Sequence, residues 1–222
     1  MDVYNIEHQT NSTFAQTFVL DAWCDLYDFS IGHWHSHLRR QLASAVVHYE
    51  WSTENGMIEF DESNAVGWIS FTNNPDIGEA IMIGATVVEF GASDGVVIGA
   101  TLAVTLANLL AYLEASVDED LSRCTYDISA GNTLNIIYGT TGGLGNSFPI
   151  EATVAGSTKS GEFLAGGGGV LTMTAPVEDV ETFDGDFYYD VRWQAIETGR
   201  TFYIAVVGGV ITFIRGVTRD TE

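Results

Sequence analysis

The sequence predicts a mainly β protein, a discontinuous β-sandwich interrupted by a small α/β domain that carries one helix. Three observations lead there. Short runs of Val, Ile, Thr and aromatic residues, broken by turn residues, fill the first third and the last quarter of the chain. Only one segment, from Leu102 to Leu113, keeps a helical period. The character of the chain changes at Thr72-Asn73-Asn74-Pro75-Asp76, and again at Gly166 to Gly169.

The elements follow in order. Thr17 to Leu20 reads as a strand, and Asp25-Leu26 as the start of a turn. Ser30 to Leu38 alternates, Ala45 to Trp51 is apolar and aromatic, and Asn55-Gly56 is a turn signal. Met57 to Phe60 and Gly67 to Phe71 read as two further strands. Ala80 to Ile83 and Thr86 to Phe90 flank a Gly-Ala turn, and Val96 to Ile98 is a third short strand. Thr101 can then N-cap a helix. Leu102, Leu106, Leu109, Leu110 and Leu113 fall on one face of it. Arg123 to Ser129 and Thr133 to Tyr138 form a hairpin about Ala130-Gly131-Asn132. Past the glycines, Val170 to Thr174, Asp186 to Trp193, Thr201 to Val207 and Val210 to Arg215 are strands. Gly142-Gly143 and Gly208-Gly209 are read as turns.

The expected map is therefore a sandwich domain from residues 1–72 and 169–222, with an α/β domain of residues 73–168 inserted into it. Exposed loop tips tolerate such insertions. The sandwich is expected to be immunoglobulin-like. On this map it holds all five tryptophans, Trp23, Trp34, Trp51, Trp68 and Trp193.

The net charge is -22, from 30 Asp+Glu against 8 Lys+Arg, which argues against a nucleic-acid backbone or an anionic membrane as partner. Hydrophobic residues make up 46% and charged residues 17%, so the chain can bury a core and is not of disordered composition. Cys24 and Cys124 are far apart and form no CxxC pair, which suggests a reduced assembly site. The start, MDVYNIEHQT, has no basic region and no apolar region of a secretory signal. No apolar run reaches the roughly 20 residues of a membrane helix.

Two sets of motifs carry a resemblance. In the outer domain they are Phe18-Val19-Leu20, Asp25-Leu26, Trp34 to Arg39 and Asn55-Gly56-Met57-Ile58. They continue with Gly185-Asp186-Phe187-Tyr188-Tyr189-Asp190, Gly208-Gly209-Val210 and Val217-Thr218-Arg219. In this order they resemble the N-terminal β domain of upper baseplate proteins of tailed bacteriophages, over about half the chain. In the middle they are Ile81-Met82-Ile83-Gly84, Val87 to Phe90, Ile98-Gly99-Ala100-Thr101 with Asn108-Leu109, Gly145-Asn146, and Leu164-Ala165-Gly166-Gly167. These resemble a module found inside many phage structural proteins. The resemblance implies a virion component and no particular activity.

Several residues invite chemistry. His33, His35 and His37 fall on one face of a strand, where imidazoles can share Zn²⁺ or Ni²⁺. The plainer reading puts Trp34, Ser36 and Leu38 in the core and the histidines on the outer face. A third reading is a pH-sensitive interface. Asp118-Glu119-Asp120, and Asp184-Gly185-Asp186 with Asp190, lack the alternating ligands of a Ca²⁺ loop and read as a solvated run and a turn. Gly139 to Gly145 lacks the Gly-Lys-Ser/Thr end of a phosphate loop. Gly166 to Gly169 reads as a linker. All five histidines lie within the first 48 residues, and no Gly-x-Ser-x-Gly elbow occurs. Of Phe187, Tyr188, Tyr189, Trp193 and Tyr203, alternate residues, at least half of the set, are expected in the core, and the rest are available as a sugar platform or subunit contact.

The expected function is a structural, non-enzymatic tail, baseplate or fibre-attachment protein of a phage particle, without cofactors, assembled in the host cytoplasm. Expected partners are other virion proteins and further copies of this chain in a trimer or ring, with no nucleic acid and no membrane. Trp34, Tyr188 and Trp193 are the expected interface residues. The alternatives are a capsid decoration protein or a carbohydrate-binding host-adhesion module that contacts a cell-surface glycan.

Overall fold

The computed structural model describes residues 1–24, 26–27, 29, 32–91, 93–197 and 200–215, with backbone alone at 196, 197 and 200. Asp25, Ser30 and Val217-Thr218-Arg219, which entered the sequence reading, lie outside the described residues.

In chain order the elements are β1 (Asp2–Val3), β2 (Ile6–Gln9), β3 (Phe14–Val19), α1 (Asp21–Cys24), β4 (His33–Arg39), β5 (Tyr49–Ser52), β6 (Ile58–Phe71), β7 (Ala80–Ile83) and β8 (Thr86–Glu89). Then come α2 (Leu102–Ala115), β9 (Cys124–Ser129), β10 (Thr133–Thr141), β11 (Ile150–Ala152), β12 (Ser157–Lys159), β13 (Gly168–Ala175), α3 (Val177–Val180), β14 (Gly185–Glu197) and β15 (Arg200–Ile214). The chain is mainly β, with several sheets and, among the described residues, three α-helices, two of which span a single turn.

Two compact units divide it. The first comprises residues 1–23, 29–61 and the chain from Val170 onward; the second comprises residues 24–28 and 62–169. The expected boundary at 72/73 thus moves to 61/62. β6 is the reason: its alternation continues through Glu59 to Asn64 with no Pro or Gly to stop it, so the two expected strands are one of 14 residues. Trp68 consequently belongs to the second unit.

In the first unit, the main sheet runs β1-β15-β14-β4-β5, with β2 also parallel to β15. A second layer contains β3 paired antiparallel with β13. Inward side chains of the two layers meet. Phe14 lies 5.5 Å from Trp51, and Phe18 stacks on Tyr189 at 6.3 Å. Phe29 packs on Trp34 at 4.9 Å and on Trp193 at 5.1 Å. Aromatic pairs at such separations add to their burial.

β15 corrects one expectation. Gly208-Gly209 is no turn; the strand runs straight through it, opposite Tyr189 and Asp190 of β14. The glycines admit the chain start, because a Cβ on Gly209 would overlap the Tyr4 carbonyl oxygen. α1 and α3 are likewise additions to the expected single helix.

In the second unit, β6 pairs antiparallel with β10 and with β12, and β10 pairs with β9. A separate sheet runs β11-β7-β8. α2 buries Leu106, Leu109 and Leu113 into a core that includes Ile69, Ile81, Ile83, Phe90, Leu134 and Ile136. Thr101 caps it, accepting from the Val104 N–H at 3.4 Å. Thr105 adds a polar pin: its buried hydroxyl donates to Asn74 Oδ1 at 2.6 Å and accepts from the Gly99 N–H at 2.8 Å. The expected strand Val96 to Ile98 reduces to one bridge between Val96 and Phe90.

Candidate functional site

β4 alternates as its composition requires. Trp34, Ser36 and Leu38 are buried, His35, His37 and Arg39 are half-buried on the opposite face, and His33 is exposed. β5 and β14 flank it, and their register decides what the histidines meet. Glu50 and Asp190 sit on either side of His37, and Ser52 and Arg192 on either side of His35. Tyr188 lies beside Arg39, and Gln194 beside His33.

The face is a linked set of charges. A Glu50 carboxylate oxygen lies 3.9 Å from His35 Nδ1 and 3.9 Å from His37 Nε2. Arg39 donates from Nη2 to His37 Nδ1 at 2.7 Å, which puts any proton of the neutral ring on Nε2, towards Glu50. Asp190 is held by both cations, with Arg39 Nη1 at 3.7 Å and Arg192 in direct contact. Partial burial holds the His37 pKa below its ordinary value, with the Arg39 charge acting the same way and Glu50 and Asp190 opposing.

A neutral His37 gives a pH prediction. The depressed folded value means that the unfolded chain takes up this proton first as pH falls. Stability linked to His37 is complete above about pH 6.5 and is lost as pH drops towards the folded value. His37→Gln should flatten the fall in urea midpoint between pH 7 and pH 5 relative to the unaltered chain. Parallel midpoint curves for the two would refute the assignment.

The histidines do not converge as a ligand set. His37 Nδ1 already accepts from a guanidinium. Among the described residues no group of three or more His, Cys, Asp or Glu is placed to hold a metal ion.

The expected interface residues fare unequally. Trp34 is 2% exposed and Trp193 5%, so both belong to the core and cannot anchor a partner. Their alternation with polar neighbours turns them inward. Phe187 and Tyr189 are buried for the same reason. Tyr188 is half-buried on the charged face, and Tyr203 is exposed.

The acidic runs are structural. Asp118 Oδ1 accepts from Thr86 Oγ1 at 2.6 Å and from the N–H groups of Asp120 and Leu121, and the Thr86 bond foremost lowers its pKa. Asp120 accepts from the Ala85 N–H at 2.6 Å. Asp186 accepts from Thr212, while Asp190 is engaged with the arginines. Gly166 to Gly169 is not a loose linker. Gly167, Gly168 and Gly169 are buried, and a Cβ on Gly167 would overlap the Gly142 carbonyl. Cys24 and Cys124 are both buried, and burial pushes the Cys124 thiol up to about 11.

Glu50 and Arg192 were not singled out from the sequence, and Arg39 and Asp190 were noted there in other contexts, because only strand register brings the four to the histidines. No protein-family model matches the chain, and no curated protein matches it.

Proposed function

We propose that the chain is a structural, non-enzymatic component of a tailed-phage particle, in the tail, baseplate or fibre attachment. On this reading the first unit is an immunoglobulin-like sandwich that docks onto other virion proteins. The second is an inserted module displayed outward, and the protein sits in a trimer or ring. The ordered motifs of the two resemblances support the particle assignment.

The observation that carries the docking face is the half-exposed surface of β5, β4 and β14. In a chain of net charge -22 with 8 Lys+Arg, it gathers Arg39, Arg192 and three histidines. Glu50 and Asp190 balance the two arginines, so this face is close to neutral in an otherwise strongly acidic chain, and an acidic partner is repelled least there. By contrast residues 73–168 carry eleven acids against Arg123 and Lys159, which suits a solvated display surface.

The test is incorporation into purified particles. Arg192→Glu, checked for an unaltered near-ultraviolet circular dichroism spectrum, should enter particles at less than a tenth of the normal copy number. Normal incorporation of the folded variant would overturn the docking assignment. A second reading, a carbohydrate-binding adhesion module, is favoured by one observation, the exposed indole of Trp68 in the second unit.

A further inference from the structure

We propose that the outer face of the β12-β6-β10-β9 sheet is a binding platform for neutral glycans, with Trp68 as its stacking plate. The face is built by register. β6 turns Ala65, Gly67, Ile69 and Phe71 inward, so Val66 and Trp68 point out, 50% and 40% exposed. Trp68 pairs with Asn135 of β10, and Asn135 with Asp127 of β9. That gives one row of indole, amide and carboxylate across three strands.

The next row is all hydroxyl. Thr158, Ser70, Thr133 and Ser129 stand in register across β12, β6, β10 and β9. None of the eight residues named here is Lys or Arg. Lys159, next to Thr158 in β12, alternates to the other side and is bonded to the Ile150 carbonyl and Glu151.

This composition selects its occupant. A pyranose ring has a C–H face that stacks on an aromatic ring and a rim of hydroxyls that needs both donors and acceptors. Asn135 Nδ2 donates to Asp127 Oδ1 at 2.7 Å. That bond fixes the amide, leaving its oxygen, its second N–H and the other carboxylate oxygen for sugar hydroxyls. Strands lie about 4.8 Å apart, so the Trp68-to-Asp127 row spans about 10 Å, room for a short oligosaccharide. The single negative charge disfavours anionic sugars, and on the other side of the indole Val66 and its partner Ile137 extend the apolar plate on which a sugar ring can stack. The inference stands apart from the particle assignment.

The experiment uses the full chain. It is screened on an array of neutral glycans and titrated with maltoheptaose, cellohexaose and a linear galactan. Binding is followed at the indole N–H resonance that disappears in Trp68→Ala. Saturable binding to at least one neutral glycan is expected, weakened at least tenfold in Trp68→Ala, severalfold in Asp127→Asn, and mostly retained in Trp68→Phe. If Trp68→Ala does not fold, Asn135→Ala decides in its place, with a severalfold loss expected. No binding to any neutral glycan overturns the proposal, as does binding that these substitutions leave unchanged. Self-association abolished by Trp68→Phe also overturns it, because the face would then be covered by a second copy.

Discussion

Leu109→Asp should unfold the second unit. Leu109 is 0% exposed on the inner face of α2, which packs against β9. The core it joins is built almost entirely of aliphatic and aromatic residues and holds no cation to pair with a carboxylate. Two costs add. Deleting a buried leucine side chain costs about 2–5 kcal/mol. Burying an unpaired charge costs several more, or forces the helix outward. The sum is comparable to the whole stability of a domain of this size, about 5–15 kcal/mol. Hydrogen-exchange protection should vanish across β7, β9 and β10. Leu109→Met, which conserves volume, should cost less than about 1.5 kcal/mol. Ala107→Glu on the exposed face of the same helix should stay within about 0.5 kcal/mol. If Leu109→Asp is as mild as Ala107→Glu, the helix does not seal this core.

α2 was readable because every signal for it is local. Its cap at Thr101 and its leucine spacing through Leu113 lie within thirteen residues, and the structure keeps both. The hairpin at Gly131-Asn132 was readable for the same reason; both residues adopt the positive φ that such a turn needs. What failed was nonlocal. β1 and β2 are short and largely polar, and they exist because β15 offers them a parallel edge some 200 residues later. The domain boundary was placed at a loop by composition, whereas contacts place it within β6, a strand that composition alone could not extend. Trp68 was assigned to the wrong unit as a result. The histidine alternation was visible, but its partners were not. Glu50, Asp190 and Arg192 reach His35 and His37 only through the pairing of β4 with β5 and β14.

Gly209→Ala should release the chain start from β15. A Cβ at this position would overlap the Tyr4 carbonyl oxygen and lie 2.8 Å from the Tyr4 carbonyl carbon, backbone atoms that no side-chain rotation can move aside. Tyr4 is tied down there in three ways. Its N–H donates to the Gly208 carbonyl at 2.9 Å, and its carbonyl accepts from the Tyr189 hydroxyl at 3.0 Å. Its neighbour Asn5 accepts from the Val210 N–H at 3.2 Å. The methyl group would break this set and leave the mostly buried Tyr189 without its acceptor, a loss of about 1–3 kcal/mol for that group. With the lost pairing of Asp2–Val3 and Ile6–Gln9, about 2–4 kcal/mol is expected, read from the urea midpoint. A cycle with a chain lacking residues 1–5 isolates the cause. In that shortened chain the same Gly209→Ala change should cost less than about 0.5 kcal/mol, because the clashing carbonyl is gone. An equal cost in both backgrounds would mean that the glycine serves the strand itself and not the approach of Tyr4.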